Sequence, residues 1–124
     1  MNYLIVSLGA AIGGVLRFWF TNMAHKVLPG LFPFGTLSVN FIGSFLLGVI
    51  AFYFDQKGML NYQMRIFLTI GICGGFTTFS TFTYETVMLL GGSQYALALT
   101  NIMANVILCI AGLYLAIGIV KLIG

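Results

Sequence analysis

Charge is what this chain has least of. Only 6% of its 124 residues are Asp, Glu, Lys or Arg, against about 25% in an ordinary soluble domain, so little is available to cover a water-facing surface. The acids are Asp55 and Glu85, set against five basic residues for a net charge of +3. That excess is too small and too scattered to suggest a nucleic-acid partner. Acidic rings, the usual device of cation channels, are missing. There is one histidine, His25, and the two cysteines, Cys73 and Cys109, have no CxxC or Cys/His spacing. The thiols read as reduced packing residues, with no disulfide expected. No Ser/His, Cys/His or multi-carboxylate constellation is present, so an enzyme is not expected. The N-terminus lacks a basic n-region and a small-residue cleavage site, so the first apolar segment is expected to be a retained helix and not a cleaved signal.

What remains is apolar. Hydrophobic residues make up 60% of the chain and the mean hydropathy is +1.09, which marks an integral membrane protein. Four apolar segments stand out, about 2–24, 34–54, 62–90 and 94–122. Each reaches the roughly 20 residues that a helix needs to cross a hydrocarbon core of about 30 Å. The connections 25–33, 55–61 and 91–93 are too short for a soluble domain, so residues 1–124 are expected to form a single all-α four-helix transmembrane domain. Both termini then lie on one side. Lys57, Arg65 and Lys121 fall there, with Lys26 and the deeper Arg17 opposite. This leans the termini inward, yet so slightly that insertion in both orientations, and with it an antiparallel dimer, is open.

The third segment contains Gly71-Ile-Cys-Gly-Gly-Phe-Thr-Thr-Phe-Ser-Thr-Phe-Thr-Tyr84. Adjacent glycines lose backbone entropy in a helix, and the following hydroxyls compete for backbone groups. A helix break is therefore expected near residues 74–78. About 12 residues precede it, roughly 18 Å of helix, which places it near the bilayer midplane. Backbone freed at that depth must face protein or a cavity, and discontinuous helices of this kind hold ions.

The polar residues in the spans are few and mostly uncharged. Gly9, Gly13 and Arg17 share one stripe of segment 1; the glycines suit close helix packing, and Arg17 either snorkels or stands as a vestibule cation. Asn40, Ser44 and Gly48 share a face of segment 2, and Asn101, Asn105 and Cys109 one of segment 4. Each asparagine reads either as an interhelical hydrogen bond or as part of a polar track. Phe79 and Phe82 share a face, which by spacing alone means lipid contact. Glu85 is the only acid inside a span, hence a functional residue or a partner of Arg17 or a hydroxyl. Asn40, the Ser/Thr cluster at the break, Asn101 and Asn105 can donate hydrogen bonds without charge, which suits a small anion. Four helices hardly enclose a path, so an oligomer is expected, most simply a dimer.

These residues also carry a family resemblance. Over essentially its whole length the chain resembles the Fluc (CrcB-type) fluoride channels, through Gly13-Gly14-Val-Leu-Arg17, Gly35-Thr-Leu-Ser-Val-Asn40, Gly74-Gly-Phe-Thr-Thr-Phe-Ser-Thr-Phe82 and the stripe Asn101, Asn105, Cys109. The third pattern is highly specific. The resemblance implies a dual-topology antiparallel homodimer in the bacterial plasma or inner membrane that passes fluoride down its gradient and so lowers cytoplasmic fluoride. It implies a structural sodium ion on the two-fold axis, held by the main-chain carbonyls of Gly74 and Thr77 of each chain. Phe79 and Phe82 would be the pore phenylalanines and Asn40 the pore asparagine. Ser80, Thr81, Asn101 and Asn105 would belong to the polar track, and Arg17 to an electropositive vestibule. Glu85 matches a family glutamate. Hydroxyl residues are common along the family's fourth-helix track, where this chain has two amides and a thiol.

Phenylalanine edges carry partial positive charge, so the rings can face an anion, while freed carbonyls suit Na⁺. Two other classes compete. A small proton-coupled multidrug exporter would work through Glu85, and a non-transporting scaffold would use its asparagines and small residues for packing only.

Overall fold

The computed structural model describes residues 1–124, and its only regular structure is helical. Five helical pieces follow one another: α1 (Asn2–Val27), α2 (Phe34–Asp55), α3 (residues 62–76), α4 (Ser80–Gly91) and α5 (Tyr95–Ile123). Taking α3 and α4 together, four helices of 26, 22, 30 and 29 residues are long and apolar enough to cross a membrane. The shortest extends about 33 Å at ~1.5 Å per residue, sufficient for a hydrocarbon core. Only 21 of the 124 residues are buried, and Leu4, Trp19, Val106 and Tyr114 are among the large apolar side chains left exposed. In water this surface would drive aggregation; in a multi-pass membrane protein it is the surface that lipid and other membrane protein cover.

Local signals account for the ends. The Asn61 side chain accepts the Met64 N–H at 2.8 Å and starts α3. His25 and Lys26, expected in a connection, instead form the last turn of α1. Cations are favoured at a helix C-terminus, and no breaker occurs before Pro29 and Gly30, whose φ is +139°.

The third segment does not follow one partner. α3 packs chiefly on α1, whereas α4 packs chiefly on α5, and α2 touches α1, α3 and α5. Between the two pieces, residues 77–79 are not helical, and Thr77 is extended at φ −85°, ψ 160°. Just before, the turns over Phe67–Cys73 widen to π-helical bonding, and the Gly74 N–H reaches both Gly71 and Thr69 carbonyls. Such widenings cluster at functional sites.

Glycine decides how near α3 comes to α1. A Cβ at Gly9 would lie 2.6 Å from the Phe67 carbonyl oxygen and 2.9 Å from the Gly71 Cα. One at Gly13 would collide with the Ile72 carbonyl oxygen, and one at Gly75 would come within 2.6 Å of the Ala10 carbonyl oxygen. The two backbones thus touch directly, as small residues spaced four apart permit in membranes. Gly14, beside this seam, has nothing within 4 Å of its missing Cβ.

A paired substitution tests the seam. Gly13→Ala is expected to destabilise the protein by about 1–3 kcal/mol or more, because backbone cannot step aside. Gly14→Ala is expected to be neutral or slightly stabilising, since Ala is the better helix former. Unfolding in mixed detergent micelles measures both.

Candidate functional site

The site is built around one peptide unit. Where the chain crosses from α1 to α5, the Thr78 N–H and C=O have left the helical ladder. Asn40, on α2, takes both: its Oδ1 accepts the Thr78 N–H at 2.7 Å, and its Nδ2 donates to the Thr78 carbonyl at 3.0 Å. The Thr78 hydroxyl accepts the Thr81 N–H at 3.1 Å and so caps the start of α4. Gly43, nearly one turn beyond Asn40, leaves room for Thr77, whose Cγ2 would collide with a Cβ there.

The clamp continues into a chain of amides. Asn40 Nδ2 also donates to Asn105 Oδ1 at 3.0 Å. Asn105 Nδ2 donates to Asn101 Oδ1 at 3.0 Å and to the Asn101 carbonyl at 2.9 Å. Asn101 Nδ2 donates to Thr86 Oγ1 at 3.0 Å, and that hydroxyl donates to the Phe82 carbonyl at 2.8 Å. Spacing four apart on α5 puts Asn101 and Asn105 on one face, as the sequence indicated. Of the two readings open for them, the interhelical bond is made at both.

A cavity of about 360 Å³ opens beside the clamp. Asn40, Thr77, Thr78 and Asn105 contribute its polar wall; Phe79 and Phe82 contribute ring surface. Ser44, Cys73 and Cys109 also reach it, which gives the two thiols a wall position and not simple core packing. The rings of Phe79 and Phe82 are 5.4 Å apart at 52°. Phe82 is 8% exposed and belongs to the bundle, whereas Phe79 is 79% exposed and stands outside it. Ser80 and Thr81 are exposed next to Phe79 and do not line the cavity of this single chain. Asn101 is fully buried and does not reach it either.

Carbonyl accounting singles out two oxygens. The Thr77 N–H bonds the Cys73 carbonyl at 3.0 Å, and the Thr78 N–H is taken by Asn40. The Gly74 carbonyl therefore receives no N–H from the turn that follows it, and Gly74 is exposed. The Thr81 N–H turns to the Thr78 hydroxyl, which leaves the Thr77 carbonyl with Arg17 Nη1 at 3.5 Å. Arg17 thus turns inward, towards the crossing, and does not snorkel away from it.

Glu85 finds a hydroxyl, not Arg17. Thr36 Oγ1 donates to Glu85 Oε1 at 2.6 Å, and Oε2 is buried without a partner. Glu85 does not line the cavity. Thr36 and Thr86 were not singled out by sequence. Thr36 lies one turn before Asn40 on the same face, a signal that was available; Thr86 carried none, because one hydroxyl in a hydroxyl-rich segment has no distinguishing pattern.

The profile of the family described as CrcB-like protein, Camphor Resistance (CrcB), matches residues 4–118. The chain belongs to the CrcB family. A protein of Magnetococcus marinus named fluoride-specific ion channel FluC is 41% identical over 123 residues, covering 99% of this chain and all of its own length. One of Granulibacter bethesdensis with the same name is 45% identical over 98% of this chain and 95% of its own. A third, from Coxiella burnetii and also so named, is 40% identical over 94% and 95%. The family match spans the amide chain, the crossing and the cavity together.

Asn40→Ala removes both partners of the Thr78 peptide. Each orphaned group is expected to cost about 1–3 kcal/mol. Hydrogen exchange at the Thr78 amide measures the effect directly. Protection is expected to fall markedly in the variant, and unchanged exchange there would remove the clamp from the account.

Proposed function

We propose that this chain is a fluoride-selective channel that lets fluoride leave the cytoplasm down its gradient, working as an antiparallel, dual-topology homodimer and not as an enzyme. The observation that carries the reading is the wall beside the crossing, where neutral polar side chains and phenylalanine rings meet with no acid among them. Its relatives bear the name of fluoride-specific channels over nearly the full chain. A small, strongly hydrated anion passes between weak neutral partners, and carboxylates at the same place would repel it. The pore set is Asn40, Phe79, Ser80, Thr81, Phe82 and Asn105, with Arg17 supplying positive potential nearby.

Exposure supports the dimer. Gly74, Phe79, Ser80 and Thr81 face outward from a single chain, beside the break that divides the third span near mid-membrane. Lipid cannot satisfy polar groups at that depth, so a second copy covers them and completes the passage past the rings.

The chemistry of the break fits a structural sodium ion. The Gly74 and Thr77 carbonyls are neutral oxygen acceptors that lack helical donors, and two copies present four of them. Held there, Na⁺ would satisfy the Gly74 oxygens, share the Thr77 oxygens with Arg17 and tie the two breaks together. The exporter reading loses support because Glu85, its required carboxylate, is tied to Thr36 and stands outside the cavity.

Phe79→Ile and Phe82→Ile are each expected to lower fluoride efflux from proteoliposomes at least tenfold, with the dimer retained on gel filtration. Wild-type flux in both variants would remove the rings from the pathway. Replacing Na⁺ by a large organic cation during purification is expected to weaken the dimer and reduce flux together. If assembly and conduction both survive sodium-free conditions, the sodium assignment is wrong.

A further inference from the structure

The chain of amides has a single polarity. Because the Thr78 N–H claims Asn40 Oδ1, the Asn40 NH₂ must face Asn105. Asn105 then presents oxygen to Asn40, so its own NH₂ faces Asn101. Asn101 presents oxygen in turn, and its NH₂ falls on Thr86. The Thr86 hydroxyl, having accepted there, has its proton free for the Phe82 carbonyl, which it reaches at 2.8 Å. Turning over Asn40 or Asn105 would set donor against donor and acceptor against acceptor at two joints, and turning over Asn101 would set donor against donor at Asn105 and draw the Thr86 proton off the Phe82 carbonyl. The path begins on the peptide of Thr78 and ends on the peptide of Phe82, one turn into α4. It passes through α2 and α5 on the way and so fixes from outside the stretch that carries Phe79.

We infer that Asn101 and Thr86 are positioning residues for the conducting pair Phe79 and Phe82. Asn101 is fully buried and Thr86 is 6% exposed. Unlike the exposed Ser80 and Thr81, both are shut off from the surface as well as from the cavity, so neither touches a passing ion. They act through the Phe82 carbonyl and, by way of Asn105 and Asn40, through the Thr78 peptide. Hydrogen-bonded chains of this sort strengthen along their length in a low dielectric, and a broken joint leaves buried donors without acceptors. Thr86 is the joint at which the chain is best opened, because Val matches its shape without the hydroxyl. Its loss strips Asn101 of an acceptor and the Phe82 carbonyl of its hydroxyl donor. The start of α4 then shifts, and with it the angle between the two rings. The inference rests on the fluoride-channel reading.

Single-channel recording of the reconstituted full chain in fluoride separates positioning from mere stabilisation. A residue needed only for folding changes the number of active channels and leaves the current through each one intact. Thr86→Val is expected to lower the unitary fluoride current at least fivefold, and Thr86→Ser, which keeps the hydroxyl, to restore it. Thr86→Ala serves as the second variant. Asn101→Leu added to Thr86→Val is expected to lower the unitary current no further than Thr86→Val alone, since one path is opened in both. An unchanged unitary current in Thr86→Val or Thr86→Ala overturns the inference. So does a Ser variant as impaired as the Val variant, and so does failure of both the Val and Ala variants to fold while the Ser variant folds. A wild-type protein that passes no fluoride instead defeats the channel reading itself.

Discussion

A single peptide unit within a span long and apolar enough to cross a membrane, with its N–H and C=O both out of the helix, is the constraint around which this bundle is arranged. Water would satisfy such a peptide at no structural cost. Inside a membrane-spanning stretch each unpaired group is expensive. The side chain of Asn is the smallest that offers an acceptor and a donor in the geometry of a peptide, and Asn40 supplies both to Thr78. Gly43 lets the crossing lie against α2. Asn105 takes the remaining Asn40 proton, and Asn101 and Thr86 carry the pairing on into α4. Removing any member moves the unmet demand to its neighbour.

This arrangement bears on the chemistry offered to an anion. Both protons of Asn40 are engaged, one on a backbone carbonyl and one on Asn105. The strongest neutral donors in the spans are therefore already occupied with structure. What the cavity presents besides them are phenylalanine rings and a few hydroxyls. Such weak partners suit passage better than retention: a conducting site must compensate dehydration without trapping the ion. The buried asparagines then give the wall its shape, and the phenylalanines and hydroxyls give it its chemistry.

The proposed dimer bears on the outer side of the chain. Phe79, Ser80, Thr81 and Gly74 are exposed on the single chain, beside apolar residues that need no cover in lipid. Polar backbone and hydroxyls at that depth require protein. The proposed second copy meets that need and has a reason to sit at the crossing rather than anywhere else on the surface.

Much of this was legible in the residues alone. Low charge and apolar runs of sufficient length determine a four-span membrane bundle, because the bilayer allows backbone few other forms. Helical periodicity placed Asn101 with Asn105 and Gly9 with Gly13, since faces follow from 3.6 residues per turn. Periodicity says nothing about which helix a face meets. That Asn40 would clamp Thr78, that Arg17 would turn to the Thr77 carbonyl, that Glu85 would choose Thr36 and that Thr86 would link Asn101 to Phe82 were decided only by tertiary packing. Apart from Thr86 and Phe82, which are four residues apart, the partners lie 15 to 60 residues apart. At such separations a donor's need is written in the sequence, while the acceptor that meets it is selected by which backbones can approach, and that is settled by the glycine seams in three dimensions.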